Sequence, residues 1–400
     1  MREATTSEGS VKMIAEPATS PTQGSEATRD LVNLDLLRAV AVGIVFFGHM
    51  MGIMRVRGLG DVGHFGVLLF FVHTSLVLMF SMERLGLSGG RLYTAFMVRR
   101  IFRIYPLSVL IVLLVVAFRV PSVPWLGGFV WPGWLELSSN LLLTQNITHS
   151  GSVNCVLWSL PFEVQMYAAL PLLYFLTCRF PSPRAAMVIW LTGVAVAGLE
   201  YFVRSGKCDL EFLLLRYVPC FLAGVVAWRL FEVRRRMLPG MLWVLVLLVL
   251  VTFYRLHDVI RVYGPNWQAS LHGVLRSDHR VWWPPYMDLI SDWVFCGIAG
   301  LLVPLFAGNT SRLVNAITRR IALYSYGVYV SHVPILWLCF ARLHLGNAFA
   351  SVILTVVLTA LVSFALYHCI EHPAIRLGKQ LSLRLVSRIA PTRGLRFECQ

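Results

Sequence analysis

The chain has 400 residues, 57% of them hydrophobic and only 14% charged, with a net charge of +15 and a mean hydropathy of +0.69. A soluble domain averages about 45–50% apolar and about 25% charged residues, so these values exclude a soluble enzyme or binding module. They define an integral membrane protein with several spans, and the basic excess follows membrane topology rather than nucleic-acid binding.

Residues 1–30 are rich in Ser, Thr, Glu and Ala without an apolar run and read as a disordered tail. No apolar signal-peptide core precedes Leu31, so the first span is expected to serve as the signal anchor. Ten apolar runs follow, at about 31–54, 62–82, 95–118, 160–178, 185–203, 210–230, 238–254, 288–307, 321–341 and 349–369. They predict an all-α integral membrane protein, a bundle of about ten transmembrane helices, closed by a basic tail at 377–400. Ten spans put both termini on one side. With that side inside, 24 of the 35 Lys and Arg residues fall on it, which predicts cytoplasmic termini. Two long outside segments, about 119–159 and 255–287, carry Trp125, Trp131 and Trp134, then Trp267, Trp282 and Trp283. These rings suit either a belt at the headgroup level or a stacking surface for a sugar. The eight cysteines are scattered without a CxxC pair, so neither a disulfide framework nor a zinc site is expected.

Polar residues inside the apolar runs mark the candidate site. In the first run Arg38 and His49 are eleven residues apart. At ~100° per residue they share one helix face, roughly 16 Å apart along the axis. Ionisable groups are costly in lipid, so that face is expected to turn inward. Asp35 is spaced to pair with Arg38. In the third run Arg99, Arg100 and Arg103 precede Ile104-Tyr105-Pro106. Guanidinium forks match phosphate oxygens, so the cluster suits a phosphate-bearing ligand as well as it suits a positive-inside anchor. The fourth run opens on Trp158-Ser159-Leu160-Pro161, with Pro161 in the first helical turn and Glu163 where the helix dipole favours an acid, at the outer rim and four residues before Tyr167. Glu163 is read either as a helix-start acid or as a group that orients a histidine or binds an acceptor hydroxyl. Further on, His332 lies one turn from Tyr329, and Glu371-His372-Pro373 is expected to end the tenth helix.

In this order, Arg38 with His49, the run GHFGVLLFFV at 63–72, Arg100 and Arg103 before Ile-Tyr-Pro, and Trp158-Ser159-Leu160 with Glu163 and Tyr167 resemble the membrane acyltransferase 3 family. So do Tyr324-Ser-Tyr-Gly with Tyr329, His332 and Pro334, and Glu371-His-Pro373; the motifs span an expected domain of residues 31–376. One departure is His73-Thr74-Ser75, where members usually carry Ser-Gly; helix packing or pocket shape is expected to differ there. The resemblance implies an O-acyltransferase of the bacterial inner membrane. It would move an acyl group, commonly acetyl from acetyl-CoA, to a hydroxyl of a carbohydrate-containing acceptor such as a surface polysaccharide. Its partners would be acyl-CoA, the acceptor and the bilayer, with no nucleic acid and no metal.

The chemistry of the residues agrees with that class. A thioester is already activated, whereas an acceptor hydroxyl needs a base, and a histidine is the usual one. His49 is therefore the expected base with Glu163 as the second catalytic candidate. Arg38, Arg100 and Arg103 are expected to hold donor phosphates, and Trp158, Ser159, Tyr167, Tyr329 and His332 are secondary candidates. Two other readings use the same residues: a transporter or flippase of a lipid-linked sugar, and a cytosol-facing O-acyltransferase of an antibiotic such as a macrolide.

Overall fold

A computed structural model describes residues 21–56, 59, 62–204, 214–234, 237–263, 285–308, 311–343 and 346–389. The described residues form thirteen α-helices, in chain order α1 Pro21–Ile53, α2 Val62–Leu85, α3 Gly89–Ala117, α4 Trp134–Leu142, α5 Gln145–Thr148, α6 Leu160–Arg179 and α7 Pro183–Arg204. They continue with α8 Leu214–Val233, α9 Met241–Tyr263, α10 Pro285–Leu302, α11 Arg312–Trp337, α12 Ala348–Leu366 and α13 His372–Arg388. Among the described residues there is no strand, only one isolated bridge between Leu238 and Phe306. Over its described residues, each of the ten apolar runs falls largely in a helix. Eight helical segments of the described residues are long and apolar enough to cross a bilayer. The two runs outside that set are α8, which carries Arg216, Arg229 and Glu232, and α9, whose apolar stretch is Met241–His257.

The bundle is organised around α2, with 15 of its 24 residues buried. It packs against α1 and α8; α1 also packs against α11, α8 against α7 and α10, and α11 against α12. The peripheral helices turn apolar side chains outward, for example Leu199 and Phe202 of α7 and Ile353 and Leu361 of α12. In lipid such faces need no partner, and helices associate instead through close contacts at small residues. The tightest contact here is at Gly224 of α8, where a Cβ would lie 2.1 Å from Ser75 Oγ and 2.2 Å from Val72 O of α2. Ser75 Oγ donates across this crossing to Phe221 O at 2.6 Å, so the residue at the departure from the family pattern stitches α2 to α8. Because backbone is in the way, Gly224→Ala is expected to push the two helices apart. The expected loss is about 1–3 kcal/mol or more, read as a lower melting temperature of the purified protein.

Proline does not end the last helix, contrary to the sequence expectation. Tyr367–Glu371 forms one π-helical turn, and α13 continues from His372 with Pro373 in its first turn. The wider turn just before Pro373 accommodates its missing N–H and its ring at lower cost than a regular helical turn. α13 packs along α3, Gly378 against Phe102, and Arg99 Nε donates to Ser382 Oγ at 3.0 Å.

The segment 119–159, read from the sequence as a long outside segment, is a folded cap containing α4, α5 and a 3₁₀ turn at Cys155–Ser159. Buried Asn140 organises it, donating to Glu136 O and Gly151 O and accepting from Gln145 Nε2 and Val153 N. Asn154 Nδ2 ties the cap to α11 through Val330 O at 3.0 Å. In the second segment α9 runs on to Tyr263, while Trp267, Trp282 and Trp283 lie outside the described residues. Cys178 is disulfide-bonded, a single cross-link rather than a framework, which the scattered spacing did not predict.

Candidate functional site

Two chambers meet inside the bundle. The inner one, about 100 Å³, lies between α1, α2, α3, α6 and α11 and is lined by Arg38, Arg100, Arg103, Glu163 and Tyr167 among others. The outer one, about 840 Å³, lies under the cap and is lined by His49, His64, Trp125, Trp158, Arg216 and Asp292 among others. Val67 and Tyr329 line both, so they form the neck between the chambers.

The inner chamber gathers arginines from two helices. Arg103 Nη1 meets the buried carboxylate of Glu371 at 2.5 Å, and the π-helical turn is what brings Glu371 there. Arg38 and Arg100 have no hydrogen-bond or ion-pair partner among the described residues, and the Nε of each is buried. Arg38 and Asp35 therefore do not form the ion pair their spacing suggested. Glu163 has no histidine among its hydrogen-bond partners in the described residues. It lines the inner chamber, where it accepts hydrogen bonds from Tyr167 Oη at 2.6 Å and Thr74 Oγ1 at 3.3 Å. Thr74 again belongs to the departure from the family pattern, and His73 beside it is buried against the same chamber. Three guanidinium groups against the carboxylates of Glu163 and Glu371 leave net positive charge and unused donors. A group of phosphate size with acceptor oxygens fits both.

At the neck, Tyr329 Oη donates to Val156 O at 2.7 Å and is joined to Ser159 Oγ at 2.6 Å. Since Tyr329 spends its only proton on the carbonyl, Ser159 is the donor to it. These residues of the Trp158-Ser159 and Tyr329 motifs thus set the wall of the passage.

The outer chamber holds His49 on a histidine pair. His332 Nδ1 lies 2.9 Å from Val328 O, and His332 Nε2 lies 2.9 Å from His49 Nδ1. A carbonyl only accepts, so Nδ1 of His332 carries its proton and Nε2 of the neutral ring is an acceptor. His49 must then donate through Nδ1, which leaves the lone pair of its Nε2 free. His332 is fully buried, whereas His49 lines the chamber with the Trp125 ring 5.6 Å away. The pair can take a proton on His49 and share the resulting charge with His332. Trp125 thus leaves the belt reading for the chamber wall, while Trp131 and Trp134 are exposed on the cap.

Residues that sequence inspection passed over complete this chamber. Asp292 of α10 is buried and accepts from His64 Nε2 at 3.2 Å and Tyr254 Oη at 3.2 Å, with Arg216 Nη2 at 3.5 Å. Trp158 stacks on His64, with centroids 5.8 Å apart and planes at 14°. The available signal was an acid or a cation inside an apolar run, which Asp292, Arg216 and His64 each supply.

The fold and these chambers define a multi-pass membrane protein with a polar seam that changes from cationic donors at one end to imidazole and carboxylate acceptors at the other. A family model described as an acyltransferase domain matches residues 31–368, and the chain belongs to the acyltransferase 3 family. It is a membrane acyltransferase. No curated protein and no solved structure matches it significantly.

Proposed function

We propose that this acyltransferase takes its acyl group, acetyl in the simplest case, from a cytosolic acyl-CoA and transfers it to a hydroxyl of a carbohydrate-containing acceptor at the bacterial inner membrane. The observation that carries this reading is the polarity of the seam. Arg38 and Arg100 present unpaired donors, which call for a ligand rich in acceptor oxygens such as a coenzyme phosphate. In the outer chamber the free Nε2 of His49 and the carboxylate of Glu136 present acceptors, which call for a ligand rich in hydroxyls. The excess of basic residues on the side expected to hold both termini supports placing the arginine end in the cytosol.

The donor's phosphates are held by Arg38 and Arg100, with Arg103 kept in place by Glu371, and the pantetheine arm carries the thioester to the neck beside Tyr329. An acceptor hydroxyl in the outer chamber gives its proton to His49 Nε2 as its oxygen attacks the thioester carbon. The C–S bond breaks, an ester forms, and the departing thiolate recovers the proton from His49. His332 is a positioning residue that fixes the tautomer. Glu163 holds the wall through Tyr167 and Thr74 and shapes the field around the arginines.

Labelled acetyl-CoA tests this reading. A deletion strain complemented with the wild-type chain is expected to place the label in surface glycan as an alkali-labile ester. Label that stays in the cytosolic pool while the protein is present in the membrane would overturn it.

A further inference from the structure

The His64–Asp292 pair opens onto the same chamber as His49, yet the transfer chemistry does not use it. Asp292 is buried among His64, Arg216 and Tyr254 and is ionised beside the guanidinium, so it accepts the proton on His64 Nε2. The ring's second nitrogen, Nδ1, is left for the chamber and has no partner among the described residues. The side chain is 29% exposed, on the chamber side. Trp158 stacked on the ring keeps its plane fixed.

The two imidazoles are neighbours by construction. A Cβ on Gly63 would lie 3.8 Å from Gly48 Cα and 3.6 Å from Val45 O, so α1 and α2 touch at this crossing. His49 and His64 directly follow these two glycines, which places their Cα atoms within about 13 Å of each other. Side chains reaching from both helices span a single sugar ring at that separation. The charge of the wall adds a selection: Asp292 is met by Arg216, but among the described residues Glu136 has no ion-pair partner, which disfavours an anionic ligand.

We propose that His64, held by Asp292, is an acceptor-binding residue that grips one hydroxyl of a neutral sugar ring while His49 takes the proton from another. The acceptor is then a residue with at least two free hydroxyls, and His64 selects which of them is acylated. This rests on the transfer reading above.

The test uses the full chain in lipid nanodiscs with acetyl-CoA and surrogate alcohols. Thiol release and ester formation are compared for cyclohexanol and for the isomeric cyclohexane-1,2- and 1,3-diols. Wild type is expected to favour at least one diol by about tenfold, the effect of one added hydrogen bond of ordinary strength. His64→Gln keeps an amide N–H for Asp292 but removes the acceptor at the Nδ1 position, and it is expected to bring that ratio down to about twofold, the statistical value for two hydroxyls. His64→Asn, with an amide oxygen near the Nδ1 position, is expected to recover part of the preference. The ratio does not depend on how much protein is folded. A wild type that turns over without preferring any diol, or a His64→Gln variant that keeps the preference, overturns the role of His64 and leaves the transfer reading standing. A wild type that forms no ester with any alcohol overturns the transfer reading and this inference with it.

Discussion

His49→Ala is expected to insert and fold normally and to lower transfer by about 10²–10⁴-fold, the usual contribution of a positioned base. Normal folding follows from where the ring lies: it faces a chamber and bonds only to the His332 side chain and to the Val45 backbone one turn earlier in its own helix, so its loss enlarges the chamber and breaks no helix packing. The base is only as good as its tautomer. His332→Phe keeps an aromatic ring in a buried site but removes the acceptor for His49 Nδ1. His49 can then place its proton on either nitrogen, and its protonated form loses a partner. A hydrogen bond to a charged group is worth about 1.5–3 kcal/mol, so roughly 10- to 100-fold in kcat is expected, with little change in acceptor KM. His332→Gln returns an acceptor to the same place and is expected to recover much of the loss. Full activity of His49→Ala in a membrane-transfer assay would remove the base from the mechanism.

The second large effect concerns the arginines, which are not equivalent. Arg103→Ala leaves the buried Glu371 carboxylate without its cation, and breaking such a pair typically costs about 3–5 kcal/mol. Its main readout is therefore a large fall in melting temperature, with weaker donor binding behind it. Arg103→Ala combined with Glu371→Gln removes both charges and is expected to restore most of the stability while donor KM stays raised. Among the described residues Arg100 has no carboxylate partner, so Arg100→Gln is the cleaner probe of donor binding. It is expected to raise the acyl-CoA KM by roughly 10- to 100-fold, the value of one hydrogen bond to a charged group, with little loss of stability. An unchanged KM would return Arg100 to a purely structural role. A double variant that stays as unstable as Arg103→Ala would show that the ion pair is not what Arg103 contributes to the fold.

The amino-acid sequence alone determined the class of fold and pointed to several of the residues that line the two chambers. Apolar runs of membrane length are a one-dimensional property, and an ionisable residue inside such a run is conspicuous because lipid penalises it. Arg38 and His49 on one face of α1, and Pro161 with Glu163 in the first turn of α6, needed only helical periodicity. Only the tertiary structure decided who meets whom. His332 meets His49 across 283 positions of chain, and Glu371 reaches Arg103 because a π-helical turn rotates it inward. Asp292 collects His64, Arg216 and Tyr254 from three other helices, and Glu163 shares a chamber with Arg38, Arg100 and Arg103. The reason is physical: periodicity fixes which face of a helix a residue occupies, but the partner opposite that face depends on how close two helices approach. That distance is set by small residues such as Gly63 and Gly224, whose effect appears only once the helices are packed.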